Sequence, residues 1–249
     1  VLNELIQESE KSMTENYPSI FSQYKHPTNK DGKVARINPY HEKAQSDFPS
    51  IVSVFMDPFL RSISEEYFSP HPIKHIEEIF STHELPCEVP ILPWHYDRIQ
   101  SLKYWFYLKD TCREDGAFQY CPGTHWEGHY RAGFFLLQGI PIEELPNDID
   151  PDLIRNPVAL ELKAGDLLIF DSDGFHSGGV VSKGRERRVL NGHTHPLNGR
   201  SYGDSKFSAG WWLKSRLNLA RHLSASGSRI LGEKIMDQTI NRSKHDITK

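Results

Sequence analysis

The chain has 249 residues, 37% of them hydrophobic and 25% charged, with 29 Lys and Arg against 33 Asp and Glu for a formal net charge of -4. That composition is ordinary for a folded globular protein, and the length suits one large domain, single β barrels included. The acidic balance speaks against a nucleic-acid partner, which would favour a strongly basic face. No apolar run approaches the roughly 18 residues that a membrane helix needs.

Residues Val1-Leu2-Asn3-Glu4-Leu5-Ile6-Gln7-Glu8 have no basic stretch ahead of an apolar one and do not read as a signal peptide; a chain beginning at Val1 leaves a trimmed upstream segment open. A helical N-terminal flank is expected over about residues 1–70. Leu2, Leu5, Ile6 and Met13 fall near one helical face, and Ile51, Val54, Phe55, Phe59, Leu60, Ile63 and Tyr67 form a second such stripe. Pro58 suits the start of that second helix's latter half, and Lys30-Asp31-Gly32-Lys33 reads as a turn.

The middle of the chain changes character. Ser101 to Leu108 is rich in aromatic residues and reads as a buried strand; Ala117 to Cys121 is another, closed by Pro122-Gly123. Pro141 to Pro157 reads as a long loop with a helical turn. Val158 to Leu162, Asp166 to Asp171 and Arg187 to His195 are short strands between Gly-containing turns. Many short strands at this spacing point to a barrel or a sandwich, with a core over about residues 73–196. Trp211, Trp212, Leu213, Leu217 and Leu219, then Ile230-Leu231 with Ile235-Met236, read as a helical C-terminal flank over about 205–249. With no repeat and no linker, one domain over residues 1–249 is the economical organisation. Cys87, Cys112 and Cys121 are odd in number and lack a CxxC pair, which fits free thiols in a reducing compartment and a cytoplasmic location.

The chemistry sits in Trp94-His95-Tyr96-Asp97 and in Asp173-Gly174-Phe175-His176-Ser177-Gly178-Gly179. In a strand, positions i and i+2 point to one side, so His95 and Asp97 project together. His176, after the apolar run Leu167-Leu168-Ile169-Phe170, is the best third ligand. Two histidines and a carboxylate are the non-haem iron facial triad; a closed zinc site would want a fourth protein ligand. Arginine is the natural partner for a carboxylate beside a metal, and Arg187 and Arg188 compete for that role, because neighbouring strand residues alternate. With Arg187 facing in, Val189, Asn191, His193 and His195 face in too. His193-x-His195 is a rival metal pair without a third ligand nearby. Tyr96, Asn191 and His193 are candidates for substrate contact, and Tyr96, Tyr104, Trp105, Tyr107 and Trp126 either stack on a flat ligand or fill a core.

The succession of His95-x-Asp97, Asp115-Gly116-Ala117-Phe118-Gln119-Tyr120-Cys121-Pro122-Gly123-Thr124-His125, Gly165-Asp166-Leu167-Leu168-Ile169-Phe170, His176 and Arg187 resembles the phytanoyl-CoA dioxygenase family over roughly residues 90 to 196. The resemblance implies a mainly β fold with flanking helices, a double-stranded β-helix or jelly-roll (cupin-like) barrel. It implies Fe(II) held by His95, Asp97 and His176, and 2-oxoglutarate held by Arg187, whose spacing after His176 is similar to the family's own, with Trp105 as an aromatic beside the cosubstrate. The chain departs from the pattern at Tyr96, where members often carry a smaller or amide residue, and in the long stretch from Arg131 to Pro157. Such regions shape substrate pockets, so the resemblance does not carry phytanoyl-CoA with it.

The expected activity is therefore hydroxylation of an unactivated C–H bond of a small metabolite with Fe(II), 2-oxoglutarate and O2, releasing succinate and CO2. The carboxylate of Asp97 argues against halogenation, which uses a site without it. The rivals are a metal-dependent cupin-type isomerase or lyase with no need of 2-oxoglutarate, and a non-catalytic 2-oxoglutarate-binding module. The expected partner is a small-molecule substrate, with no nucleic acid and no membrane; oligomeric state is left open.

Overall fold

A computed structural model describes residues 1–14 and 32–196 of the chain. Helix α1 (Leu2–Thr14) precedes strand β1 (Lys33–Ile37), and three helices follow in succession: α2 (Glu42–Asp47), α3 (Pro49–Phe55) and α4 (Pro58–Phe68). Then come β2 (Ile73–Lys74), β3 (Ile79–Glu84), β4 (Leu92–His95), β5 (Leu102–Tyr107), β6 (Phe118–Tyr120), α5 (His125–Leu137), β7 (Val158–Leu160), β8 (Leu167–Asp171), β9 (His176–Gly178) and β10 (Arg187–Pro196). Short 3-10 turns at Ile142–Glu144 and Pro151–Leu153 interrupt the loop between α5 and β7.

The helix boundaries have local causes. Pro49 and Pro58 each open a helix, where a missing N–H costs nothing. The Asp57 carboxylate caps α4 by accepting from the Phe59 N–H at 2.8 Å. Glu8 of α1 accepts from the Ser50 and Ile51 N–H groups at 3.0 and 2.8 Å, so one helix satisfies the first turn of another.

The strands form two antiparallel sheets. One has the order β1-β3-β10-β5-β8, with β2 on the far end of β10; the other has the order β4-β9-β6-β7. Period-2 alternation sorts their side chains into layers. On β5, Leu102, Tyr104 and Phe106 face outward into the helix-covered core, while Trp105 and Tyr107 face the other sheet. On β8, Leu167 and Ile169 go outward and Leu168 and Phe170 inward. The outer core joins Leu5, Phe48, Ile51, Phe55, Leu60 and Phe68 of the helical flank to Ile79 and Leu190 of the sheet. Each such fully buried side chain contributes roughly 1.5–3 kcal/mol by leaving water. The inner layer packs Trp105, Phe170 and Val189 against Phe118 of the second sheet. A third cluster sets α5, through Tyr130 and Phe135, on Tyr96, Phe175, Ile142 and Ile149.

The fold is the jelly-roll class expected, and the strands expected over Ser101–Leu108, Ala117–Cys121 and Asp166–Asp171 appear as β5, β6 and β8. Three features differ. The strands pair as two facing sheets rather than one closed barrel. The N-terminal flank is not wholly helical: β1 pairs antiparallel with β3 along its whole length, starting where a turn at Lys33 was expected. Neither strand shows in the pattern, because polar inner residues such as Arg36, Thr82 and Glu84 face a cavity and break apolar alternation. The stretch from Arg131 opens in helix, since α5 runs to Leu137. That helix carries Gly128 and Gly133, which lower its propensity, and it is buried on most sides, which erases an amphipathic stripe. The helices expected around Trp211–Trp212 and Ile230–Met236 lie outside the described residues.

Gly128 has a packing reason. A Cβ there would stand 1.9 Å from the Asp173 carbonyl oxygen, so α5 lies directly on the loop that leads to His176. The Gly128→Ala protein is expected to lose about 3 kcal/mol of stability by overpacking, read as the shift in a denaturant midpoint. A loss below about 0.5 kcal/mol, the scale of a neutral surface change, would show that α5 does not press on this loop.

Candidate metal centre and cosubstrate site

Strands β4 and β9 pair antiparallel with His95 directly opposite His176. Directly opposed residues share one face at close range, and the two imidazole centroids are 4.2 Å apart. Asp97 lies two residues beyond His95 and returns to the same side. Its backbone N–H donates to the Ser172 carbonyl at 2.8 Å, which ties the end of β4 to the loop before β9. Asp97 Oδ1 is 3.7 Å from His95 Nε2 and 3.7 Å from His176 Nε2. One ligand atom from each of the three residues falls within 4.8 Å of the others, and no other such cluster occurs among the described residues.

The donor set fits a divalent metal. Nδ1 of His95 lies 2.7 Å from the Pro93 carbonyl, and Nδ1 of His176 lies 2.7 Å from the Gly174 carbonyl. A carbonyl only accepts, so each Nδ1 carries the proton and each Nε2 turns a lone pair towards Asp97, the arrangement that orients metal-binding imidazoles. Burial lowers the affinity of both rings for a second proton, most strongly at His176, and a metal requires the neutral form. His176 Nε2 is buried without a hydrogen-bond partner among the described residues, which costs free energy unless something binds it. Burial by itself would raise the Asp97 pKa; the Lys103 ammonium is the main group that outweighs it and holds the carboxyl well below the usual range.

His95 and Asp97 open on a cavity of about 380 Å³, within the roughly 300–1,000 Å³ of small-molecule sites. Its far wall is the inner face of β10, where Arg187, Val189, Asn191 and His193 all line the space, as alternation required once Arg187 faced inward. Arg187 is 1% exposed, and its guanidinium centre lies 5.7 Å from the Trp105 ring. Arg188 points away, to Glu10 and Glu186.

Arg187 is not an idle cation. It stands opposite Glu84 in the β10–β3 pairing, donates through Nε to that carboxylate, and donates through Nη1 to the Gly116 carbonyl. Burial would lower its proton affinity, but Glu84 more than offsets this and keeps the guanidinium charged. Nη2 makes no hydrogen bond among the described residues. Trp105 Nε1 and Tyr107 Oη, on the same face of β5, are buried without hydrogen-bond partners among the described residues. A charged fork with two unsatisfied donors nearby is a chemistry that takes a carboxylate.

The remaining candidates divide. Asn191 and His193 line the cavity; His193 stacks on Phe80 at 5.6 Å, and its Nε2 is 3.3 Å from Asn191 Oδ1. Trp105 lines the cavity as well, and it also packs in the inner core against Phe118 and Phe170. The expectation of substrate contact at Tyr96 needs correction. Standing between two cavity-facing residues, Tyr96 points to the opposite side, is 1% exposed, and donates to the Pro146 carbonyl at 2.7 Å. His193 and His195 form no metal cluster among the described residues; His195 Nδ1 is 3.1 Å from the Gln100 carbonyl. Sequence reasoning missed Lys103, Glu84, Phe80 and Asn147, all of which line the cavity. Lys103 had a legible signal, a lone charge within Leu102-Lys103-Tyr104-Trp105-Phe106-Tyr107. Glu84 and Asn147 had none.

Breaking a buried ion pair costs about 3–5 kcal/mol, whereas exposed pairs contribute about 0–1 kcal/mol. Glu84→Gln is therefore expected to lower the unfolding free energy by about 3 kcal/mol, and Arg188→Gln, with partly exposed partners, by less than about 1 kcal/mol. Equal losses in urea titrations of the two proteins would mean that Arg187 is no better anchored than its neighbour.

Residues 84–189 match the model of one family, phytanoyl-CoA dioxygenase (PhyH). No curated protein sequence matches the chain. Among solved structures, the fold is similar to SnoK, a non-heme alpha ketoglutarate dependent carbocyclase from nogalamycin biosynthesis, at 15% identity and a TM-score of 0.57 over 86% of this chain and 81% of that one. It is similar to SnoN, an epimerase of the same pathway, at 17% identity and a TM-score of 0.55 over 82% and 78%. EvdO2 from Micromonospora carbonacea var. aurantiaca, complexed with 2-oxoglutarate, matches at 18% identity and a TM-score of 0.50 over 82% and 84%. At these identities the likeness is one of fold. The family match, residues 84–189, spans the strands that carry His95, Asp97, His176 and Arg187, so the likeness to phytanoyl-CoA dioxygenase (PhyH) and the site fall in the same part of the chain.

Proposed function

We propose that the protein is an Fe(II)- and 2-oxoglutarate-dependent dioxygenase that hydroxylates an unactivated C–H bond of a small-molecule metabolite, with release of succinate and CO2. The observation that carries this reading is the convergence of His95 Nε2, His176 Nε2 and Asp97 Oδ1 beside a cavity that His95, Asp97 and Arg187 line. His95, Asp97 and His176 would hold the metal, and Arg187 the distal carboxylate of 2-oxoglutarate. Bound iron with 2-oxoglutarate supplies dioxygen activation and the oxidising power for a C–H bond.

The chain's own residues then have defined tasks. The Pro93 and Gly174 carbonyls hold the imidazoles in the tautomer that offers Nε2. Glu84 and the Gly116 carbonyl fix two edges of the Arg187 guanidinium, so its orientation does not have to be found on binding. Trp105 covers the guanidinium with its ring and offers a buried N–H. Ile91, Leu92, Phe80 and Val189 give the cavity apolar walls that limit water. Asn191 and His193 would orient the substrate, since both line the cavity and contact each other. One domain spanning residues 1–249 and a cytoplasmic location belong to the same proposal; no helix among the described residues is long and apolar enough to cross a membrane.

A succinate-release assay with Fe(II) and 2-oxoglutarate across a metabolite panel tests the class. Asp97→Ala is expected to bring succinate release down to background while circular dichroism stays unchanged. Arg187→Lys keeps a cation for Glu84 but loses the fork, and the KM for 2-oxoglutarate is expected to rise by about a hundredfold for two charge-assisted hydrogen bonds. Turnover by Asp97→Ala at the original rate would remove Asp97 from the metal, and an unchanged KM in Arg187→Lys would move the cosubstrate anchor elsewhere. Turnover that needs the metal but no 2-oxoglutarate would favour the isomerase or lyase reading.

A further inference from the structure

We infer that Lys103 is a positioning residue for the metal-binding carboxylate: its ammonium holds Asp97 to a single ligating oxygen and so preserves coordination positions for 2-oxoglutarate and dioxygen. This rests on His95, Asp97 and His176 being the metal ligands. The two Asp97 oxygens have different partners. Oδ1 stands 3.7 Å from both imidazole Nε2 atoms, while Oδ2 is 2.7 Å from Lys103 Nζ. Carboxylates bind metals through one oxygen or through both. Binding through both would take a position that the facial triad keeps open, and the ammonium occupies the oxygen that would have to turn.

The setting of Lys103 supports this single task. It is 8% exposed and belongs to the inner face of β5, paired with Phe170 of β8 on one side and His193 of β10 on the other. Nζ lies 5.9 Å from the centre of the Phe170 ring. Lysine is almost never so buried unless paired, and its neighbours along β5 are all apolar or aromatic. Among the described residues, Asp97 is its one carboxylate partner. Aspartate orientation does not require a charge so close to a metal, and a cation there weakens the pull of the site on a divalent ion. Lys103 thus favours geometry at the expense of metal affinity.

That opposition separates positioning from mere support. Co(II) alone is titrated calorimetrically into the full-length protein, and 2-oxoglutarate is then titrated into the Co(II)-loaded form. In Lys103→Met, with the cation gone and both carboxylate oxygens free, Co(II) is expected to bind about tenfold tighter and 2-oxoglutarate about tenfold weaker, changes of about 1.4 kcal/mol each in opposite directions. Lys103→Gln, which keeps an N–H donor, is expected to fall between that variant and the unaltered protein, and it carries the test if Lys103→Met does not fold. Weakening of both ligands together would make Lys103 structural only. Weaker 2-oxoglutarate with unchanged Co(II) would make it a cosubstrate contact, and no change in either would remove it from the site. Each of these overturns the inference. Failure of the underlying ligand reading looks different: the unaltered protein and Asp97→Ala would then bind Co(II) alike.

Discussion

Everything at the site follows from the antiparallel pairing of β4 with β9, which sets His95 against His176. Two imidazoles held in contact by backbone hydrogen bonds need no long side-chain reach to converge, and their rings are further locked by carbonyls two residues upstream of each. Asp97 completes the cluster because one strand period returns it to the same face. A slip of β4 by one residue in this register would turn His95 and Asp97 away from His176, towards the core that now holds Tyr96.

The second sheet supplies the opposite wall by the same rule. The inner residues of β10 and β5 present Arg187, Asn191, His193, Lys103 and Trp105 to one cavity, while Leu190, Leu102 and Tyr104 pack outward beneath the helices. The helical flank is thus a cover for the back of the sheet, and its apolar contacts brace the strands whose other face carries the chemistry. Helix α5 braces the second sheet, resting against the Asp173–Gly174 turn, where His129 contacts Asp173 at 2.8 Å.

Charge is balanced locally within the cavity. Arg187 is matched by Glu84 and Lys103 by Asp97 before any ligand arrives. Buried charges are tolerable only when paired, so each functional ion comes with a partner from a neighbouring strand. A divalent metal and a dianionic cosubstrate would enter such a cavity as a neutral sum, leaving that balance intact.

The donor triad, the inward arginine and the class of fold were legible in the residues, because ligand chemistry restricts residue type and strand periodicity restricts direction. His95-x-Asp97 announced one face of a strand, and Arg187 brought Asn191 and His193 with it by parity alone. What the linear pattern did not contain is which strands lie side by side. Glu84 and Arg187 are neighbours only through the β3–β10 register, Lys103 reaches Asp97 only because the two sheets face each other, and β1 joins the cavity wall from a segment that looked helical. Local propensity and periodicity act over a few residues of chain, whereas the pairing of distant ions depends on contacts that exist only once the sheets have packed; composition and spacing determined the chemistry on offer, and tertiary structure decided which charges meet.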